Sequence, residues 1–556
     1  VRGVIQPAFR PLYDTQSVPD SLLAVARAAG AAVPAGDFRS LVNAAWADTD
    51  ARAALGRGGV FEAPIAAANA VFDASRVDAS APELSGPGDM TLVAFPHITL
   101  SDGRGAALGL LQEIPDAVTH VLWESWAEIS VATAARLGAE NGDILKLTTP
   151  AGELEVAAFV RGGIRDDVIA IPTGQGHTVG RYASKEDNGL PGVPRGVNVA
   201  SVLSGATDEA GGQAWLTERA SVSNTGKHRR LPMLQFSDNK RGRQLGEVVT
   251  LAALNGHGEH GEHHAEHEIH KPYDPAADAA DAQYAATFRA RGETNIKESP
   301  YRWGLTVDLD KCTGCSACIT ACYVENNIPV VGEDEVRNVR PMTWLRIDRW
   351  VGDGQTDFMN EMGRIQVAPS GETLGNVDVR NAPIMCQHCG AAPCEPVCPV
   401  IATYHNEEGL NGMIYNRCIG TRYCANNCPY KVRRYNYFDN QIERWPSPME
   451  LGLNPDVTVR GQGVMEKCTF CVQRIQFARQ DAKNAGGHDA VIADGAVATA
   501  CQQTCPSSAI AFGNLRDDAS TVSKRADSKR AYHALHVLNT RPAVTYLSKV
   551  VRGPAV

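Results

Sequence analysis

Fifteen cysteines, all between residues 312 and 505, are the side chains of this 556-residue sequence best suited to chemistry. They form four groups: CTGCSACITAC (312–322), CQHCGAAPCEPVC (386–398), CIGTRYCANNC (418–428), and CTFC with CQQTC (468–471 and 501–505). Thiolates at this density are ligands for soft metals. The first group reads C-x2-C-x2-C-x3-C at Cys312, Cys315, Cys318 and Cys322. In that run three thiolates wrap three corners of one iron–sulfur cubane, and the fourth turns towards a different cluster. Cys386, Cys389, Cys394 and Cys398 repeat the theme with a longer middle gap, and a 29-residue insertion separates Cys471 from Cys501. Pro399, Pro429 and Pro506 follow three of the closing cysteines, as in the same motif.

Two other chemistries give thiols in clusters. Structural zinc pairs two short CxxC units across a longer loop, which these runs do not resemble. A disulfide framework is a poor match to an odd cysteine count and tight spacing. The third group departs from the pattern, because Thr421 stands where a second cysteine is expected. A neutral hydroxyl is a weak iron ligand, so that corner is expected to lack its iron and leave a [3Fe–4S] cluster. The alternatives are weak ligation by Thr421, or a cubane completed by water or another residue. Arg417, Arg422, Lys431, Arg433 and Arg434 surround this group with no acidic residue among them. They suit a raised cluster potential, a docking patch, or a solvated basic face. The aromatic run Tyr430, Tyr435, Tyr437 and Phe438 reads as packing around the cluster. No catalytic triad, P-loop or HExxH is apparent, and the glycines of Gly174-Gln175-Gly176 read as loop glycines.

These groups need a scaffold. A chain of this length exceeds one core, and 44% hydrophobic with 21% charged residues is a globular composition. The formal net charge of -10 argues against nucleic acid as the partner. No apolar run is long enough to cross a bilayer. The chain opens at Val1 with VRGVIQPAFRPLYDTQ, which is unlike a signal peptide, so a processed chain or part of something longer is expected. No cysteine precedes residue 312. SVPDSLLAVARAAG (17–30) predicts a helix capped by Ser17, with Pro19 in its first turn and Gly30 at its end. Ser130 caps a second helix that ends at Gly138, and 144–149, 154–160 and 168–173 predict strands of a small sheet or barrel. Residues 256–270 hold six histidines, His257, His260, His263, His264, His267 and His270, and read as a polar tether or a metal-binding tract.

The cysteine half, roughly residues 300–515, resembles the four-cluster ferredoxin-like subunits of polysulfide and dimethyl sulfoxide reductases. PLYDTQSVPDSLLAVARAAG, SWAEISVATAARLGAENGDILKLTTPAGELEV and IAIPTGQGH resemble the C-terminal part of a molybdopterin-oxidoreductase catalytic subunit. Their fusion in one chain, together with CIGTRYC, resembles the B subunits of alternative complex III, a resemblance that implies this sequence would begin partway through such a subunit. The resemblance implies a multidomain α+β fold. Residues 1–115 would be the C-terminal portion of the α/β domain and 116–245 the dinucleotide-binding-like β-barrel. Residues 246–295 would be a His-rich linker, 296–520 a double bacterial-ferredoxin-like domain, and 521–556 a C-terminal tail.

The resemblance also implies how the ligands pair. The first set is Cys312, Cys315, Cys318 and Cys505; the second is Cys468, Cys471, Cys501 and Cys322; the third is Cys386, Cys389, Cys394 and Cys428. Each would hold a [4Fe–4S] cluster. The fourth set, Cys418, Cys424 and Cys398 with Thr421 at the vacant corner, would hold a [3Fe–4S] cluster. Neither pterin nor molybdenum is expected, and no substrate-converting site. The implied role is electron transfer in a respiratory quinol oxidoreductase, from an integral-membrane quinol-oxidising partner to haem c subunits and then a soluble cytochrome or terminal oxidase. The chain would be peripheral, held at the periplasmic face through its partners. The competing reading is the iron–sulfur part of a true molybdenum-dependent reductase or dehydrogenase.

Overall fold

The computed structural model describes residues 2–3, 14–47, 50, 53–55, 58–60, 84–187, 190–207, 211–212, 214–238, 240, 242–255, 299–351, 379–440, 449–488 and 490–552. The histidines of 257–270 lie outside these residues. The chain divides into two compact units, Val1–Ala81 and Pro82–Val556. In the first, α1 (Val18–Ala28) is capped by Ser17, whose Oγ accepts from Asp20 N at 3.2 Å. Pro19 occupies its first turn, and Gly30 beyond its end has φ +80°. α2 (Phe38–Ala45) is capped in the same way by Asp37.

The second unit starts with a closed six-stranded barrel. Its strands are β1 (Met90–Phe95), β2 (Trp126–Ile129), β3 (Asp143–Thr149), β4 (Gly152–Val160), β5 (Val168–Pro172) and β6 (Glu218–His228), in the order β6-β1-β5-β2-β4-β3. β1 pairs with β5 and β2 with β4 in parallel, whereas β6 runs antiparallel to both β1 and β3 and closes the ring. Alternation along β1 sends Met90, Leu92 and Ala94 inward. There they meet Ile129, Leu145, Leu147, Val156, Ile169 and Ile171. The barrel therefore begins upstream of residue 116, since β1 belongs to it. Ser130 caps α3 (Val131–Leu137), and Gly138 ends it in the left-handed region.

β7 (Val248–Thr250) follows the barrel. The cysteine half is built on β8 (Trp303–Asp308), α4 (Ala317–Glu325), α5 (Glu333–Arg337), β9 (Arg346–Val351) and β10 (Val379–Ile384). It continues through α6 (Val472–Gly486), α7 (Ala500–Gln503), β11 (Ile510–Asn514), α8 (Thr521–Ala526), β12 (Ala531–Tyr532), β13 (Val544–Leu547) and β14 (Lys549–Val551). β8 lies at the centre of the sheet β11-β8-β13-β12, antiparallel to β11 and parallel to β13. β14 pairs in parallel with β7. Residues 521–552 are thus part of the folded body and not a tail. β7, inside the stretch expected as linker, is an ordered strand. Among the described residues no helix is long and apolar enough to cross a membrane.

Two buried carboxylates join the barrel side to the cysteine half. Glu113 accepts the backbone N–H groups of Val331 (2.9 Å) and Gly332 (3.0 Å) and the Tyr323 hydroxyl (3.2 Å). Glu333 at the start of α5 pairs with Arg195 from the barrel side and with Arg337, the latter at 2.7 Å. Arg195 also lies 5.0 Å over the ring of Trp123.

Candidate iron–sulfur sites

The backbone takes up left-handed conformations at the same place in every cysteine group: Gly314 and Ser316, His388, Gly420 and Arg422, Phe470 and Cys471. A left-handed residue just after a cysteine reverses the chain tightly and turns neighbouring thiols and amides towards one void. It costs most where a side chain other than glycine adopts it. Amides aim at sulfur as a result. Ala402 N reaches Cys398 Sγ at 3.2 Å, Ala509 N reaches Cys505 at 3.3 Å, Met465 N reaches Cys418 at 3.4 Å, and Ala500 N reaches Cys471 at 3.4 Å.

Cys386, Cys389, Cys394 and Cys428 line one small cavity with Asn411, Tyr430 and Arg433. Cys398, Cys418 and Cys424 line another, and Thr421 lines it with them. The remaining thiols gather from opposite ends of the half, because α4 packs against α7. Cys312 lies within electrostatic reach of Cys505 and Cys315, and Cys318 within reach of Cys501, Cys312, Cys315 and Cys505. Cys322 faces Cys468, Cys471 and Cys501. Thiols of the first group thus lie near those of the fourth, thiols of the second near those of the third, and Cys468 is also within reach of Cys386.

Electrostatics test whether these sulfurs suit iron. Burial, reinforced by neighbouring thiolates, pushes Cys312 and Cys394 up to about 11 and Cys471 up to about 12, and raises Cys318, Cys322, Cys389 and Cys468 well above the ordinary thiol value. At Cys398 burial works the same way, but three backbone amides outweigh it and lower the thiol. Like charges crowded into dry space ionise together only when a polyvalent cation compensates them. Among the described residues no three His, Cys, Asp or Glu side chains converge closely enough to hold a single ion. In the third and fourth sets the sulfurs surround voids, and the donor sets fit a multi-iron cluster of the kind whose potential is tuned by hydrogen bonds to sulfur.

The basic stretch does not form one face. Arg417, Arg422 and Lys431 are exposed, Arg434 is half-buried, and Arg433 is buried against the sulfurs. The aromatic run divides as well. Tyr430 is buried, Tyr437 lies under the guanidinium groups of Arg340 and Arg422, and Phe438 is exposed and does not pack around a site. Sequence reasoning passed over His388 and Lys467. The His388 ring stacks on Phe470 with centroids 3.9 Å apart, and fully buried Lys467 donates to the Cys468 carbonyl at 2.9 Å. Their places, inside CQHC and just before Cys468, were the available signal.

Three family models match the chain: "Molydopterin dinucleotide binding domain" over residues 117–217, and two "4Fe-4S dicluster domain" models over 311–402 and 377–445. The iron–sulfur cluster-binding subunit of menaquinone reductase from Nitratidesulfovibrio vulgaris is 39% identical over 257 residues, which span 46% of this chain and 92% of the relative. The Hdr-like menaquinol oxidoreductase iron–sulfur subunit 1 of Archaeoglobus fulgidus is 30% identical, over 46% of this chain and 88% of the relative. The arsenate respiratory reductase iron–sulfur subunit of a Shewanella species is 26% identical, over 44% of this chain and 96% of the relative. With its cysteines gathered into sets and a dinucleotide-binding-type domain preceding them, the chain belongs to the 4Fe-4S dicluster family of oxidoreductase iron–sulfur subunits.

Proposed function

We propose that this chain is the electron-transfer subunit of a membrane-associated quinol:acceptor oxidoreductase of the alternative complex III type. The observation that carries the reading is the cavity lined by Cys398, Cys418, Cys424 and Thr421, a three-thiolate site in a chain otherwise supplied with four-thiolate sets. The first, second and third sets would each hold a [4Fe–4S] cluster and the fourth a [3Fe–4S] cluster. Such clusters, when bound, take up and release single electrons. The chain's own residues hold them in dry pockets, supply amides to the sulfurs, and set the local charge. An integral-membrane quinol-oxidising partner and haem c subunits would stand at the two ends, with this subunit peripheral on the periplasmic face. The names of the menaquinone reductase and menaquinol oxidoreductase relatives support quinone chemistry in the partner. Metal counting with EPR on the intact complex tests the reading. It requires about 15 iron per chain, a [3Fe–4S] signal when oxidised, cubane signals when reduced, and no molybdenum.

The match of residues 117–217 to a molybdopterin dinucleotide-binding model favours a second reading, the iron–sulfur part of a molybdenum-dependent reductase or dehydrogenase. Molybdenum near one per complex would select it.

A further inference from the structure

Arg433 stands in the wall between two cysteine cavities. It lines the cavity of the third set, where its Nη2 donates to Cys394 Sγ at 3.2 Å and to Asn411 Oδ1 at 2.7 Å. Its Nη1 points the other way, to Thr403 Oγ1 at 3.1 Å and towards Met413 Sδ at 3.8 Å. Thr403 and Met413 both line the cavity of the fourth set. The side chain is buried, and among the described residues no carboxylate forms an ion pair with it. Glu395, the acidic residue next to Cys394, receives the Asn411 amide instead.

A buried guanidinium without a counter-ion is costly, and arginine cannot shed its charge to relieve the cost. Its compensation has to come from the sulfurs. Burial pulls the guanidinium down, yet Cys394, Cys386, Cys424 and Cys428 together outweigh burial and hold it above its ordinary value. Three of these cysteines belong to the third set and Cys424 to the fourth.

We propose that Arg433 is a shared redox-tuning residue, one fixed positive charge that raises the reduction potentials of the groups held on both sides of the wall. The inference rests on the cluster assignment proposed above. Reduction adds one negative charge to either site, and a cation in low-dielectric surroundings stabilises that added charge at both. A charge shared in this way moves both potentials in the same direction, so it makes both sites better electron acceptors without setting the gap between them.

EPR-monitored redox titration of the full-length chain in its complex tests the proposal. Arg433→Met and Arg433→Gln remove the charge, Gln keeping a donor for Cys394, and Arg433→Lys retains it. Both neutral variants are expected to move the midpoints of the third-set cubane and the fourth-set cluster to lower potential together. R433K is expected to restore both midpoints towards wild type. The exposed Arg422, whose guanidinium rests on the Tyr435 ring, serves as the control, and Arg422→Met should leave the third-set midpoint in place. A shift confined to one site, no shift, or loss of both signals in both neutral variants overturns the proposal. Wild-type iron content and signals, measured in the same preparation, report separately on the cluster assignment.

Discussion

His388 ties the third cysteine set to Cys468 of the second. Its Nδ1 accepts the Asn411 N–H at 3.1 Å, which fixes the other nitrogen as the donor, and Nε2 lies 3.1 Å from the Cys468 carbonyl. Burial, with Lys467 and His405 adding to it, holds the imidazole far below its ordinary pKa, so the ring stays neutral. His388→Leu would leave the buried Asn411 amide without an acceptor, worth about 1–3 kcal/mol, and would take one donor from the Cys468 carbonyl, which keeps Lys467. The variant should lose its visible iron–sulfur absorption at a lower temperature than wild type. An unchanged bleaching temperature would show that the bridge adds no stability.

Thr421→Cys offers a fourth thiolate to the cavity of Cys398, Cys418 and Cys424. Iron should rise from about 15 to about 16 per chain, and the oxidised [3Fe–4S] signal should disappear. An unchanged oxidised signal would place the vacant corner elsewhere.

Glu113 carries a pH dependence whose sign is fixed. Burial pushes it up to about 7 from an ordinary 4.5, outweighing the Gly332 and Val331 amides and the Tyr323 and Trp123 side chains that pull it down. Between those two values the folded protein binds more protons than the unfolded chain, so stability falls as pH rises and levels off above about 7. The full swing is on the order of 3 kcal/mol. Glu113→Gln should flatten that part of the curve in denaturant titrations from pH 4 to pH 8. A slope equal to wild type would mean that the carboxyl is ionised throughout.

Glu333→Ala removes the carboxylate shared by Arg195 and Arg337 at the junction of the barrel side with the cysteine half, and leaves Arg337 its longer contact with Glu124 at 3.4 Å. Breaking a buried pair from one side costs roughly 3–5 kcal/mol. Limited proteolysis should then cut faster between the two parts. Arg165→Ala, which breaks the solvent-exposed pair with Asp167, should leave the digestion pattern unchanged.

Local signals in the sequence anticipated local structure. The Ser17 and Ser130 caps, Pro19, Gly30 and Gly138 all mark helix ends, and 144–149, 154–160 and 168–173 are the cores of β3, β4 and β5. Barrel closure was not legible. β6 carries Ser, Asn, Thr, Gly and Lys because much of it faces solvent, and its pairing with both β1 and β3 joins residues far apart in the chain. Residues 521–552 were passed over for a similar reason, since β12 and β13 are short and become strands through their sheet partners. Cysteine spacing exposed the groups, while the burial of Arg433 among sulfurs depends on how the second and third groups approach one another. No linear pattern encodes that approach.

The parallel ladder of β7 with β14 fastens residues just after the barrel to residues close to the last described position. Together with the Glu113 and Glu333 contacts, it leaves the two parts touching through more than the peptide that joins them. A nick in the 256–298 stretch would then not set them adrift. What the covalent joint supplies is parity: one barrel made for every cysteine half, at an effective concentration two separate gene products would have to reach by diffusion.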